Sequence, residues 1–246
     1  DAIFANDIDA GRLVGTTSNA PGPVGVTMNG GTIDGDGFSL TASSVSRGGV
    51  MIDPAGGTIR NLKIIGTAGT SSFGIGSSQF AGSALTDDLI LENVEIKEVS
   101  TALDFDANGH DVLVKDSTIS GMIQIYNANS ITFENCHFTR EFSFPPQKEF
   151  LILLLDDMTF IDCHFEESVN FYQDNTEYGG TLIFNGCTYG NNGVADRPFE
   201  KSEGFFTWWM QPQYVVNHKG TFGEGKPASI SFTCIVDGTT VWEAKK

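Results

Sequence analysis

The chain has 246 residues, 40% of them hydrophobic, and a formal charge of −17 from 31 acidic against 14 basic side chains. The apolar share is that of a globular chain. The negative charge makes phosphate backbones and anionic bilayers poor partners, and no apolar run approaches the ~18 residues of a membrane span. Such acidity keeps an extracellular protein soluble and suits divalent cations.

No basic stretch followed by an apolar run opens the chain, so any signal peptide has been removed or never existed. Residues 1–23 include Asn19-Ala20-Pro21-Gly22-Pro23 and no repeat. They are expected to cap the first repeating unit, because an open strand edge is sticky. Asp34-Gly35-Asp36-Gly37 resembles a fragment of a calcium loop. It lacks the further acidic ligands such a loop needs, and reads as a tight turn.

From residue 57 a register recurs. Gly57 to Ile64, Leu89 to Ile96, Val112 to Ile119, Ile131 to Phe138, Met158 to Phe165 and Leu182 to Tyr189 align residue for residue. Each reads apolar-x-apolar-x-turn-apolar-x-apolar, with lapses at Gly57 and Ser117. The turn position holds Asn61, Asn93, Asp116, Asn135, Asp162 and Gly186, in steps of 32, 23, 19, 27 and 24 residues. Alternation within a segment is the period of a strand. The inward parity shifts across the turn residue, which predicts a bend between two strands. A third strand comes next, as at Ala102 to Asp106, Met122 to Tyr126 and Val169 to Tyr172, with Leu103, Phe105, Ile123 and Ile125 facing in. Three strands and three bends per coil predict a triangular parallel solenoid with coils about 4.8 Å apart. A leucine-rich repeat is the main competing solenoid, but the fixed positions hold Ile, Val, Phe and Cys, and the return segments alternate like strands.

Cys136, Cys163 and Cys187 fall immediately after the turn residue and predict an internal thiol stack; with Cys234 they form no CxxC pair, so no zinc site is expected. Phe138 and Phe165, followed by Tyr189, predict an aromatic stack. His137 and His164 share one outward position and read as a surface ladder. With His110 and His218 they form no metal-ligand spacing.

Gly31-Thr32-Ile33-Asp34-Gly35-Asp36-Gly37-Phe38-Ser39-Leu40 and Gly57-Thr58-Ile59-Arg60-Asn61-Leu62-Lys63-Ile64, with the Asn and Cys columns, resemble the right-handed parallel β-helix superfamily. That superfamily includes pectate lyases, polygalacturonases, tailspikes and surface proteins. The resemblance covers roughly residues 24–193. It implies an all-β, single-stranded right-handed parallel β-helix, closed by a C-terminal segment, 194–246. There Ile230 to Val236, the turn Asp237-Gly238 and Thr239 to Trp242 predict a capping hairpin.

The resemblance also implies a substrate groove along the third strand. Its outward positions are expected to be Met51 and Asp53, Gly74 and Gly76, Asp104 and Asp106, Gln124 and Tyr126, then Asn170 and Tyr172. Asp104 and Asp106, two apart on one strand, are the candidate catalytic pair, able to hold a divalent cation or divide acid and base roles. Tyr126, Asn170, Tyr172 and Trp208, extended by Trp209, are candidate ligand-binding residues, the aromatic rings stacking on sugars. In the long loop at residues 139–149, Phe142, Phe144, Pro145 and Pro146 are bulky and expected to fold back on the surface.

The lyase and polygalacturonase signatures are missing, and Asn108-Gly109-His110-Asp111 only echoes one. No arginine stands beside Asp104 and Asp106 on the strand. The expected function is a non-catalytic secreted or cell-surface protein that binds glycans on its strand face, without a cofactor. One alternative is a polysaccharide lyase or glycoside hydrolase using Asp104, Asp106 and a loop Lys such as Lys148, with Ca2+ as the ion such a pair could hold. The other is a self-assembling structural subunit.

Overall fold

The computed structural model describes residues 1–15, 22–67, 72–76, 84–139, 150–153, 157–166, 169–172, 180–189, 197–198, 206–209 and 232–244. Phe142, Phe144, Pro145, Pro146, Lys148 and His218 lie outside them. Among the described residues every regular element is a strand, and no helix is long and apolar enough to cross a membrane.

The strands recur in a cycle of three, each pairing in parallel with its counterpart one coil away. The first face stacks Thr32–Asp34, the start of Gly57–Ile65, the start of Leu89–Lys97, Asp111–Lys115, Ser130–Glu134, Met158–Ile161 and Gly180–Asn185. The second stacks Ser39–Thr41, the ends of the two long strands, Thr118–Ser120, His137–Thr139, His164–Phe165 and Thr188–Tyr189. The third stacks Val24–Met28, Val50–Pro54, Phe73–Gly76, Thr101–Asp106, Met122–Tyr126, Phe150–Leu153, Val169–Tyr172 and Phe206–Trp209. This is the pattern of a β-solenoid.

The stacking begins earlier than the repeat does in the sequence. Ala2–Ile3, Ile8–Asp9 and Arg12–Val14 pair in parallel with Ile33–Asp34, Leu40–Thr41 and Ser44–Ser46. With Val24–Met28 they make a further coil, three of whose strands lie in residues 1–23, the segment expected to cap the solenoid without a repeat. At the other end Phe232–Val236 adds in parallel to Gly180–Asn185, then turns at Asp237-Gly238 into antiparallel Thr239–Ala244. Both turn residues have positive φ, 46° and 76°, the geometry of a two-residue hairpin that matches strand twist.

The bends are made by backbone, not by loops. Asn61, Asn93, Asp116, Asn135, Asp162 and Gly186 all have φ between 48° and 64°, the left-handed region that Asn, Asp and Gly enter at least cost. Their side chains link the coils: Asn93 Nδ2 donates to Asn61 Oδ1 at 2.9 Å, and Asn135 Nδ2 to Asp116 Oδ1 at 2.7 Å. At Gly186 a Cβ would meet Asp162 Oδ1, the end of a side chain that can turn aside, so glycine is favoured there by its φ of 64° and not by a fixed steric wall.

The residue after each bend turns inward, and where it carries a hydroxyl or a thiol it bonds the backbone around the bend. Ser117 Oγ donates to the carbonyl two residues back, Lys115 O at 2.7 Å, and accepts Val94 N at 3.0 Å. Cys136, Cys163 and Cys187 thiols likewise donate to the carbonyls of Glu134, Ile161 and Asn185. Ser117 is therefore no lapse: hydroxyl and thiol do one job at one position. All four side chains are buried.

Beneath them the core is columnar. Phe133, Phe160 and Phe184 stack face to face at 5.1 and 4.9 Å. Phe138 and Phe165 stack at 4.5 Å. The two columns meet edge to face, as between Phe133 and Phe138 at 71°. Aromatic rings prefer these offset and T-shaped contacts, and each buried ring adds roughly 1.5–3 kcal/mol from burial alone. In the earlier coils Ile59, Leu91 and Val114 hold the same column.

Outside, register is marked by charge. Asp34, Arg60, Glu92, Lys115 and Glu134 succeed one another across the first face with alternating sign. Arg60 Nε meets Asp34 Oδ2 at 2.8 Å and Lys115 Nζ meets Glu92 Oε1 at 2.9 Å. Exposed pairs of this kind stabilise by only about 0–1 kcal/mol each, but like charges directly opposite one another are disfavoured.

Two substitutions test this packing. Phe160→Ala, which empties the middle of a stack, is expected to cost about 3–5 kcal/mol in chemical denaturation. Ser117→Ala strands the buried Val94 N–H and is expected to cost about 1–3 kcal/mol, more than an alanine at the half-buried Thr132.

Candidate functional site

The third face carries the residues singled out as candidates. Its register assembles one row from Thr27, Asp53, Gly76, Asp104, Gln124, Leu153, Tyr172 and Trp209. Asp106 and Tyr126 pair two positions further along the strands. Tyr126 and Tyr172 therefore share a face but not a row. Asn170 sits between Leu151 and Thr207, one row to the other side. Trp208 pairs with Phe171, in the row that contains the buried Leu103 and Ile123. Trp209, not Trp208, holds the register position beside Tyr172.

The expected carboxylate pair does not stand in solvent. Asp104 is only 1% exposed, whereas Asp106 is half-buried at the strand end. Gln124, the neighbour of Asp104 in the row, is 9% exposed, and Met51, expected to face outward, is wholly buried. Gly76 is buried too, and a Cβ there would lie 2.9 Å from Asp104 O, so the chain runs close to its neighbour at this point. Alternation predicts which side of a strand a residue leaves; it says nothing of what lies over that side.

Asp106 is also engaged. Its Oδ1 accepts Asn108 N at 2.8 Å and Asn127 Nδ2 at 3.1 Å. Asn108 and Asn127 have φ of 51° and 54° and form a second set of left-handed turn residues, at the corner between the third and first faces. Asn108-Gly109-His110-Asp111 is thus a structural turn, with Gly109 N bonded to Asn127 O and His110 N to Ala107 O.

The same corner gathers a group that neither motif nor spacing exposed. Asp87, Asp88 and His110 place one ligand atom each within 4.8 Å of one another, and His110 Nδ1 lies 3.6 Å from Asp88 Oδ1. Two carboxylates and an imidazole suit a divalent cation. Asp88 Oδ1 already accepts Asp111 N at 2.9 Å, and Asp87 Oδ1 accepts Asp88 N. The adjacent acids Asp87-Asp88 at the head of a repeat segment were the available signal.

Coil-to-coil capture of this kind recurs. Asp1 Oδ1 accepts Thr32 N, Asp7 Oδ1 accepts Ser39 N, and Asp157 Oδ1 accepts Thr181 N, each from the next coil. Asp111 Oδ1 accepts Ser130 Oγ and Asn129 Nδ2, both at 2.7 Å, and these bonds, Ser130's first, hold its carboxyl below the usual range. Asp34 is lowered by Asn61 first, then by the Asp36 N–H and Arg60. On the second face the His137 and His164 rings stand 5.1 Å apart on neighbouring coils; His137 Nε2 lies 3.1 Å from Glu166 Oε1, and His164 Nδ1 lies 2.9 Å from Thr188 Oγ1.

Comparison with known protein families, with curated proteins and with solved structures finds no match to this chain.

The lowered carboxyls set a pH dependence. A group whose folded value lies below its unfolded one stabilises the fold above the unfolded value and loses that contribution as pH falls through the folded one. Stability from Asp34 and Asp111 is therefore complete above about pH 4–5 and is lost on further acidification. In acid titrations followed by circular dichroism, Asp111→Asn is expected to make the acid limb shallower and leave stability at pH 7–8 nearly unchanged in its pH slope.

Proposed function

We propose that the chain is a secreted or cell-surface right-handed parallel β-helix, similar in architecture to the pectate-lyase-like superfamily, that binds glycans on its third face without turning them over. The observation that carries this reading is the state of the expected catalytic pair. Asp104 is buried, and an oxygen of Asp106 is held by two neighbours of its own corner. An acid/base pair needs both carboxyls at the scissile bond.

Right-handedness rests on the general rule that parallel crossovers turn that way in about 98% of cases. The N-terminal cap expected over residues 1–23 is read as the first coil itself, and the hairpin Phe232–Val236/Thr239–Ala244 as the C-terminal cap. Binding is assigned to the strand-end rim, where Tyr126 stands beside Asp106, and to the row in which Tyr172 and Trp209 neighbour each other. A regular rise of about 4.8 Å per coil presents aromatic and polar groups in rows, which suits an extended polymer better than a small molecule.

The test is a glycan array run beside an assay for released reducing or unsaturated ends. Binding without turnover is expected, with Tyr126→Ala and Tyr172→Ala together weakening it at least tenfold. Turnover that disappears in Asp106→Ala would replace this reading with an enzyme.

A further inference from the structure

We propose that the column Cys136–Cys163–Cys187 is a site for a soft, two-coordinate monovalent cation of the Cu(I) class, bound between the sulfurs of adjacent coils.

The three thiols are free and buried, at 2%, 1% and 5% exposure. They occupy one position on three successive coils. His137, His164 and Thr188 pair directly, and His164 N bonds Cys136 O while Thr188 N bonds Cys163 O. The three sulfurs share one environment, Cys136 Sγ meeting Val114 O, Cys163 Sγ meeting Phe133 O and Cys187 Sγ meeting Phe160 O, each a carbonyl of the preceding coil. Soft thiolates select soft ions. With metal–thiolate bonds of about 2.3 Å, as in zinc sites, a linear S–M–S unit spans about 4.6 Å, close to the ~4.8 Å between coils.

The geometry favours a bridge with a spacer over a disulfide. Stacked residues of parallel strands send their Cβ–S vectors the same way, whereas a disulfide needs Cβ atoms about 3.8 Å apart and a torsion near 90°. A linear ion needs only that the two sulfurs face each other across one coil spacing. It also needs no further ligand, which fits a buried site where the Cys163 and Cys187 thiols meet backbone carbonyls, among them those of Phe133 and Phe160 from the preceding coil.

Binding is a proton exchange without change of oxidation state: two thiols and one Cu(I) give a bis-thiolate complex of charge −1 and release two protons. The ligand is the thiolate, so each thiol gives up its proton on binding. Affinity then rises by up to about 100-fold per pH unit.

Cys163 is shared by both possible pairs. Without it, Cys136 and Cys187 stand two coils, about 9.6 Å, apart, too far for one ion. Cys234 pairs in register with Leu182, outside the thiol column, and serves as the control.

The experiment is an anaerobic titration of the full chain with Cu(I) against a chromophoric chelator, with stoichiometry by native mass spectrometry and fold checked by circular dichroism. Wild type and Cys234→Ser are expected to bind alike. Cys136→Ser and Cys187→Ser are each expected to keep one pair and to lose less than tenfold. Cys163→Ser, and separately the double variant Cys136→Ser with Cys187→Ser, are expected to lose at least 100-fold. Should Cys163→Ser not fold, the double variant decides alone. Equal affinity in wild type and the double variant, or affinity independent of pH between 6 and 8, overturns the proposal.

Discussion

The structure depends on a backbone conformation that most residues avoid. In the coils turned at Asn61, Asn93, Asp116, Asn135, Asp162 and Gly186, the chain passes from the first face to the second through one residue with φ near +50°. An L-residue with a branched or bulky side chain is disfavoured there by roughly 1–2 kcal/mol, so the position selects Asn, Asp or Gly. Because the turn takes a single residue, the strands before and after it keep a fixed register. Every coil then presents the same side-chain position at the same height. The phenylalanine stacks, the thiol column and the alternating charge row are consequences of that one repeated turn.

The residue just past the turn shows how a local constraint becomes packing. The bend points the next side chain inward beside the carbonyl two residues back, which already accepts a backbone N–H from a neighbouring coil, as Glu134 O does from Asp116 N and Ile161 O from Asn135 N. A hydroxyl or a thiol fits there because it is small, partly apolar and able to share that carbonyl. Leu62 and Val94 fill the same position in the earlier coils by bulk alone. The change from aliphatic to aromatic and sulfur-bearing columns toward the later coils is a change of filling within a constant frame.

The acidic surplus has structural work as well. Asp1, Asp7, Asp88 and Asp157 each take an N–H of the next coil, and Asp34, Asp111 and Asp116 accept side-chain donors from neighbouring coils. Charge that reads as solubility or cation affinity in the sequence is in part the means by which coils are joined. Carboxylates at the corners are therefore poor markers of catalysis in this fold: both Asp88 and Asp106 are engaged before any ligand arrives.

The repeat made the coil register legible, since turn residues, inward Leu103, Phe105, Ile123 and Ile125, and the histidine and cysteine columns all derive from strand parity and one aligned position. The candidate site was less legible. Parity placed Asp104 on the outer side of its strand but could not report that this side is covered. Trp208 and Trp209 lie beyond the last aligned segment, where a one-residue slip exchanges the two faces; the register sets Trp209 beside Tyr172 and Trp208 beside Phe171. Asp87, Asp88 and His110 come from two coils and meet only at a corner. The first coil, at residues 2–14, lacks an Asn or Asp turn aligned with the others and so carries no repeat signal.

The most direct measurement compares Asn135→Gly with Asn135→Ala in equilibrium denaturation. Both remove the side-chain bond to Asp116, and only alanine must be forced into positive φ. Alanine is expected to be the less stable by about 1 kcal/mol, after allowing for the greater chain entropy of unfolded glycine. Alanine equal to or more stable than glycine would mean that the left-handed turn is not what holds the coils in register.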